Sequence, residues 1–360
     1  MMTLRMVLLG SAVGLALGWL AVPAAAGELE DYRSALEEFL AENGLAGGTL
    51  FVRGPETEIE VVAGMAETGT RRPVTPDTRF YIASTGKMMV AAAVLAHVEK
   101  GDLDLDARVW PLVRDLPGID ALEGIGEVTL RQLLNHTSGL ADYLDDSFVG
   151  AALLDMKRRW SEAEALAFAY GEPAYGEPGE IFEYSNSNYV LLGHILKNRS
   201  ADLEAALRES VFVPSGMLAT TVGASAEEAD LAHGYAGETG DTDISQLSWA
   251  SVLADGPLVS TARDVAGFLQ ALMREQRILK ADLLEEMLAG TKQDDSYGLG
   301  MANGGDDWGD WYGHSGSYDG FEADARYYPD ADLVLVYTVN GNSVTDTDLL
   351  DLAAGIYFDN

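Results

Sequence analysis

Strand-like segments stand at the two ends of this chain, and a long stretch without them lies between. Near the start, Gly48-Thr49-Leu50-Phe51-Val52 and Ile59-Glu60-Val61-Val62 are rich in β-formers and flank a Gly-Pro turn. Strands resume only near Tyr312: Phe321 to Tyr328 alternates, and Leu333-Val334-Leu335-Val336-Tyr337-Thr338-Val339 is a strong strand pattern. The middle is mostly helical in pattern, Leu29 to Leu40 forms an amphipathic helix, and an apolar-periodic helix from Asp346 to Tyr357 closes the chain. Early strands, a helical middle and late strands predict one sheet built from both ends, with an α-helical region inserted between them. There is no internal repeat and no low-complexity linker.

Within that frame Ser84-Thr85-Gly86-Lys87 lies between the apolar runs Phe80-Tyr81-Ile82-Ala83 and Met88 to Val98. A helix starting at Ser84 places serine and lysine about one turn apart on one face. Its N-terminus gathers unpaired N–H groups and a partial positive charge beside the serine. The following residues are nearly all uncharged, so the helix is buried on most sides and Lys87 is read as a buried base next to a nucleophile. An amine serves as a base at neutral pH only where burial or a neighbouring cation lowers its proton affinity. The alternative for S-x-x-K alone is a helix cap followed by an exposed lysine.

Two later segments supply what such a nucleophile needs. In Pro178-Gly179-Glu180-Ile181-Phe182-Glu183-Tyr184-Ser185-Asn186, Tyr184 and Asn186 point to the same side of an extended or loop backbone. The tyrosine hydroxyl can relay a proton to a leaving group, and the amide can hold a substrate carbonyl and the lysine. In Tyr312-Gly313-His314-Ser315-Gly316-Ser317, His314 and Gly316 share one strand face, where glycine admits a close ligand approach. Each segment alone also reads as core tyrosine or ordinary strand histidine. The three in this order point to acyl transfer.

The triple S-x-x-K, Y-x-N and H-x-G resembles the penicillin-recognising serine hydrolases, the superfamily of serine β-lactamases and DD-peptidases, and within it the class C β-lactamase branch. Gly101 to Asp106, Thr129 to Leu140, Gly256 to Val265 and Tyr297-Gly298-Leu299-Gly300 are similar to that branch as well, so the likeness runs over nearly the whole chain after residue 26. The resemblance implies an α/β (α+β) fold of the β-lactamase/transpeptidase type: an antiparallel sheet flanked by N- and C-terminal helices, with an inserted all-helical region. Residues 27–105 and 255–360 would form the sheet-containing part and 106–254 the mainly helical part, with the active site in the groove between them. It also implies that Ser84 attacks a carbonyl while Lys87 and Tyr184 share the proton work. The backbone N–H groups of Ser84 and Ser317 would form the oxyanion hole, and Asn186, His314 and Gly316 would orient the substrate.

Many class C β-lactamases carry lysine where this chain has His314. Lysine is a permanent cation for a substrate carboxylate, whereas histidine is mostly neutral at pH 7. The H-x-G form is similar to secreted serine DD-carboxypeptidases and to some esterases and D-amino-acid peptidases, so a D-alanyl-D-alanine carboxypeptidase-like peptidase is the expected activity. A class C-type β-lactamase, an esterase of the same fold and a low-turnover penicillin-binding protein are the alternatives. Leu247-Ser248-Trp249-Ala250-Ser251 resembles an aromatic active-site edge, with a buried Trp249 as the other reading.

Composition sets the surroundings. Residues 1–26 hold one charged side chain, Arg5, then a largely apolar stretch and Ala24-Ala25-Ala26, which reads as a signal peptide cleaved before Gly27 and implies a periplasmic or secreted protein; a membrane anchor is the alternative. There is no cysteine, so neither a disulfide nor a thiolate metal site can form. With 58 acidic against 23 basic residues, the net charge of −35 argues against nucleic acid or an anionic membrane as partner. Such a surface suits either salt tolerance or plain solubility, and Asp306-Asp307 and Asp324 are expected to be solvated. Asp102, Asp104 and Asp106 imitate a calcium loop, but Ala107 and Val113 stand where it needs glycine and glutamate. The histidines lack paired ligand spacing, and no G-x-S-x-G or nucleotide-binding glycine loop occurs. The expected partner is a small molecule or peptide (a D-amino-acid peptide, ester or β-lactam) bound by a monomer without metal or cofactor.

Overall fold

The computed structural model describes residues 26–225, 227–236, 242–245, 253–345 and 347–359. The signal-like segment up to Ala25 and Trp249 lie outside the described residues. The main sheet contains β1 (Gly47–Arg53), β2 (Glu58–Glu67), β3 (Arg72–Pro73), β4 (Ala302–Asp306), β5 (Gly309–Tyr318), β6 (Phe321–Tyr328) and β7 (Leu333–Val339). Their order is β3-β2-β1-β7-β6-β5-β4, and every neighbour is antiparallel. The two chain ends meet where β1 pairs with β7, Phe51 opposite Val336, as the strand pattern of the sequence predicts.

Both central strands are buried on both faces, which is why they read as unbroken apolar runs and not as alternating ones. Leu50, Val52, Leu333 and Leu335 face a layer made by the N-terminal helix α1 (Ala26–Asn43) and the C-terminal helix (Leu349–Asp359), through Tyr32, Leu36, Phe39, Leu350 and Ala353. The period-2 alternation of a strand sends Phe51, Val334 and Val336 to the opposite face, into the large core shared with the helical part. The C-terminal helix begins at Leu349, three residues later than its apolar periodicity suggests.

At the centre of the large core runs α2 (Lys87–Lys100), whose residues from Lys87 to Ala96 are all buried. Burying each of its valine, leucine and methionine side chains contributes about 1.5–3 kcal/mol. Gly101 ends it with φ of 80°, a left-handed cap that suits glycine. Helix α3 (Asn186–Lys197) packs across α2 and is buried from Ser187 to Leu196.

Strands do not wait for Tyr312: β4 begins at Ala302, and short strands Thr221–Val222 and Phe80–Tyr81 pair on either side of Leu258–Ser260. Strands this short carry too little alternation to register against the helical background. The pairing matters because it ties the chain just before Ser84 to the segment Asp255 to Ser260, Ile82 N–H donating to Leu258 O at 3.0 Å.

Candidate active site

Ser84 lies in a 3₁₀ turn, Ala83–Gly86, and the α-helix proper begins only at Lys87. The expectation of a helix starting at Ser84 is therefore off by three residues. The cause is local: Ala83 adopts φ of 45°, left-handed for a residue with a Cβ, a conformation costing roughly 1–2 kcal/mol. The turn is held by tertiary contacts. Thr85 Oγ1 donates to His314 O at 3.1 Å on β5, with Ala323 O of β6 at 3.4 Å.

Lys87 is fully buried, which excludes the exposed-lysine reading. Its Nζ donates to Ser84 Oγ at 2.8 Å, to Asn186 Oδ1 at 2.9 Å and to the carbonyl oxygen of Asp255. The ring centroids of Tyr184 and Tyr189 lie 5.2 and 5.5 Å from the same nitrogen. Were the amine neutral, two N–H groups would still serve Asn186 and Asp255, and its lone pair would face the Ser84 hydroxyl, the arrangement a general base requires.

Asn186 is the first residue of α3, and its Nδ2 donates to Asp142 Oδ2 at 2.9 Å, which fixes the amide with its oxygen toward Lys87. Tyr184 stands just before the helix. Its hydroxyl is buried and has no partner among the described residues, and its ring stacks on His136 at 4.1 Å between centroids. His136 is wholly buried, and its Nδ1 accepts from Ser185 N–H at 3.2 Å and from Asn188 Nδ2 at 3.1 Å. Burial first, and then the Lys87 charge, hold its pKa well below the ordinary value.

From β5, His314 and Gly316 face the Ser84 turn, as their shared register predicts. A Cβ at Gly316 would lie 2.4 Å from Ile82 O and 2.7 Å from the amide nitrogens of Ser84 and Thr85. Only glycine lets strand and turn meet backbone to backbone, which brings the N–H groups of the Ser84 turn beside the strand that carries Ser317. Gly316→Ala is expected to part the two and to lower kcat/KM by about 100-fold or more, the typical cost of one oxyanion donor. Steady-state turnover with a parallel thermal melt checks it.

His314 Nδ1 faces the carbonyl of Ser315 and its Nε2 accepts from Tyr297 OH at 2.9 Å, a pairing that fixes the neutral tautomer. Burial, and secondarily the Lys87 charge, lower its pKa from 6.5 to about 4. The unfolded chain thus binds this proton first as the pH drops, so His314 withdraws stability between pH 6.5 and 4, by on the order of 3 kcal/mol at the limit. Asp324, raised to about 6 by burial, works in the opposite direction in the same range. The difference in unfolding free energy between the protein and His314→Gln isolates the histidine. The wild type is expected to lose more stability than the variant from pH 7 to pH 4.

A cleft of about 470 Å³ is lined by Ser84, Tyr184, His314, Ser315, Gly316, Ser317, Glu322 and Tyr337. Clefts of the same volume along Arg53–Glu58 and between Ala41–Ala46 and Asn340–Val344 contain no paired nucleophile and base. Ser84, Lys87, Tyr184, Asn186, His314 and Gly316 are thus brought together as read from sequence, with Ser317 on the cleft wall.

Other contributors escaped that reading. Asp142 orients Asn186. Asp255 offers its backbone oxygen to Lys87, and its buried carboxylate accepts from Tyr143 OH at 2.8 Å. Burial raises the pKa of both acids. Tyr297 was visible only as part of the Tyr297-Gly298-Leu299-Gly300 likeness, and no local signal marks Asp142, Asp255 or Glu322. Asp324, expected to be solvated, is buried. It pairs with Arg326 at 3.2 Å, and Arg326 reaches Asp351 at 2.7 Å and also Asp348.

A family model described as Beta-lactamase matches residues 32–356. Penicillin-binding protein 4* of Bacillus subtilis (strain 168) is 29% identical over 339 residues, covering 89% of this chain and 73% of that protein. Among solved structures, a D-stereospecific amidohydrolase from Streptomyces superposes with a TM-score of 0.79 at 25% identity, covering 92% of this chain and 99% of the other. D-amino acid amidase from Ochrobactrum anthropi SV3, complexed with L-phenylalanine amide, gives 0.77 at 25% identity, covering 92% and 98%.

Proposed function

The chain belongs to the Beta-lactamase family, and from that membership we propose that it hydrolyses an amide or ester of a D-amino-acid compound through an acyl-enzyme on Ser84. The single observation that carries the reading is the buried Lys87 Nζ, 2.8 Å from Ser84 Oγ and held by Asn186. Ser84 Oγ attacks the substrate carbonyl carbon as its proton passes to Lys87 Nζ. The N–H groups of Ser84 and Ser317 receive the oxyanion, as at the head of other acyl-transfer sites. On collapse, the Tyr184 hydroxyl relays a proton from Lys87 Nζ to the departing nitrogen or oxygen, and the C–N or C–O bond breaks. Water then cleaves the ester to Ser84 by the same route in reverse.

The D-stereospecific and D-amino acid amidase relatives support the amide form of this reading. The D-alanyl-D-alanine carboxypeptidase form asks for a cation opposite the substrate's terminal carboxylate. Among the described residues, the cleft lining holds no lysine or arginine, and the depressed pKa keeps His314 neutral at pH 7. It therefore stands second, supported by the likeness to penicillin-binding protein 4* over most of both chains. We extend the proposal to an exported enzyme, on the charged, apolar and small-residue order of residues 1–26. The described residues contain no helix long and apolar enough to cross a membrane.

The test is to incubate the protein with a D-amino-acid amide, a D-amino-acid ester and a chromogenic β-lactam, following product together with protein mass. A transient or stable adduct mapped to the peptide containing Ser84 is expected. Turnover that proceeds with covalent trapping at another residue, or no adduct and no product from any of the three, sinks the reading.

A further inference from the structure

The acyl-transfer cleft contains a carboxylate that the catalytic steps do not use. Glu322 is the second residue of β6 and lies opposite Ser317 in the β5–β6 register, so both side chains project from one face of the sheet, the face opposite to His314 and Gly316, and reach the cleft round the edge of β5. Together with Ser84 and Ser317 it lines the cleft. Its two oxygens are fixed by neutral donors alone: Tyr337 OH at 2.6 Å, Ser343 N–H at 3.0 Å and Ser343 Oγ at 2.8 Å. Among the described residues it forms no ion pair. The stretches 237–241 and 246–252 contain neither lysine nor arginine in their sequence.

A carboxylate held in place, half-buried and, among the described residues, without a counter-charge directs a negative field toward the cleft, where low-dielectric walls concentrate it. The amide of Asn342 reinforces the wall by donating from Nδ2 to Ser317 Oγ at 2.8 Å. Among the described residues, a substrate group lying over Ser317 therefore meets a hydroxyl and an anion, and no cation in the cleft lining.

We propose that Glu322 is a specificity-determining residue, which selects substrates bearing an ammonium group at the end that lies over Ser317 and rejects those bearing a carboxylate there. Discrimination of this kind combines attraction to one partner with like-charge exclusion of the other. The inference rests on the reading of Ser84 as an acyl-transfer nucleophile and narrows its substrate class to cationic D-amino-acid derivatives.

Two matched series of D-alanyl esters test it, with ammonium, methyl or carboxylate as the terminal group, placed at the acyl end in one series and at the leaving end in the other. In one series the wild type is expected to favour ammonium over carboxylate by about 100-fold in kcat/KM, the scale of a close charge contact. Glu322→Gln lowers that ratio about tenfold or more, Glu322→Asp retains most of it, and Glu56→Gln on the exposed surface leaves it unmoved. Thermal midpoints identify any variant that fails to fold, and the wild-type preference stands as a measurement that needs no variant. A wild type that does not prefer ammonium in either series overturns the proposal. So does a preference that Glu322→Gln, folded, does not move, or one that Glu56→Gln moves equally. If the methyl ester still leaves an adduct on Ser84 in those cases, the hydrolase reading survives. If no ester acylates Ser84, both fall together.

Discussion

Ser84→Ala is expected to remove turnover of every substrate by on the order of 10⁴-fold or more and to abolish any covalent adduct, while leaving the fold intact. The size follows from what the substitution removes. Without Oγ there is no nucleophile, and groups that act as a unit lose nearly all of their joint contribution when one is deleted. The fold survives because, among the described residues, Ser84 Oγ makes a single hydrogen bond, to Lys87 Nζ, which keeps Asn186 Oδ1 and the Asp255 carbonyl as acceptors. Mass spectrometry after incubation with an ester or β-lactam, beside kcat/KM, checks both halves. Residual acylation at the wild-type rate would move the nucleophile elsewhere.

Lys87→Met should slow acylation by about 10²- to 10⁴-fold, the usual range for a positioned base, with Ser84 still present and labelled slowly. Methionine fills the channel along α2 but donates nothing. Asn186 Oδ1 and Asp255 O then lose a buried donor, an omission costing about 1–3 kcal/mol for each group left unsatisfied. Stability is therefore expected to fall along with rate, unlike in Ser84→Ala. Stopped-flow measurement of the acylation phase separates the loss of the base from any change in deacylation, and an unchanged acylation rate would remove Lys87 from the proton path.

The pairing of nucleophile and base was legible because both lie on one short stretch of chain. The apolar run after Lys87 also announced its burial, since a helix uncharged on every side has nowhere to turn a lysine toward water. The sheet built from both ends was legible for a similar reason: β1 and β7 are each buried on both faces, and their strand patterns are unmistakable. What could not be read is the work of contacts between distant residues. Asp142 lies 44 residues from Asn186, and Asp255 lies 168 from Lys87; nothing near either acid in sequence signals the partner. Asp324 looked like one more surface acid in a chain of net charge −35. Its burial is set by Arg326 on the same strand face and by Asp348 and Asp351, which the C-terminal segment brings over that face. The left-handed Ala83 carries no signal at all, because alanine is the last residue a helix start would be expected to interrupt.

The sheet's closure by the two chain ends bears on when the enzyme can first work. Synthesis delivers Ser84, Lys87 and Asn186 early, yet Thr85 finds its acceptor only on His314 and Ala323, and the backbone of the Ser84 turn meets its neighbour only at Gly316. β5 and β6, which supply those groups, are bound through β7 to β1, a pairing that spans most of the chain. Contacts of such separation form late, since the entropy of closing the intervening loop must be met before they contribute anything. A nascent chain lacking its last strands thus carries the nucleophile and its base with no support for the strained turn between them. Hydrolytic competence is therefore expected only once β5, β6 and β7 have paired back onto β1, and a chain truncated before β5 is expected to show no turnover.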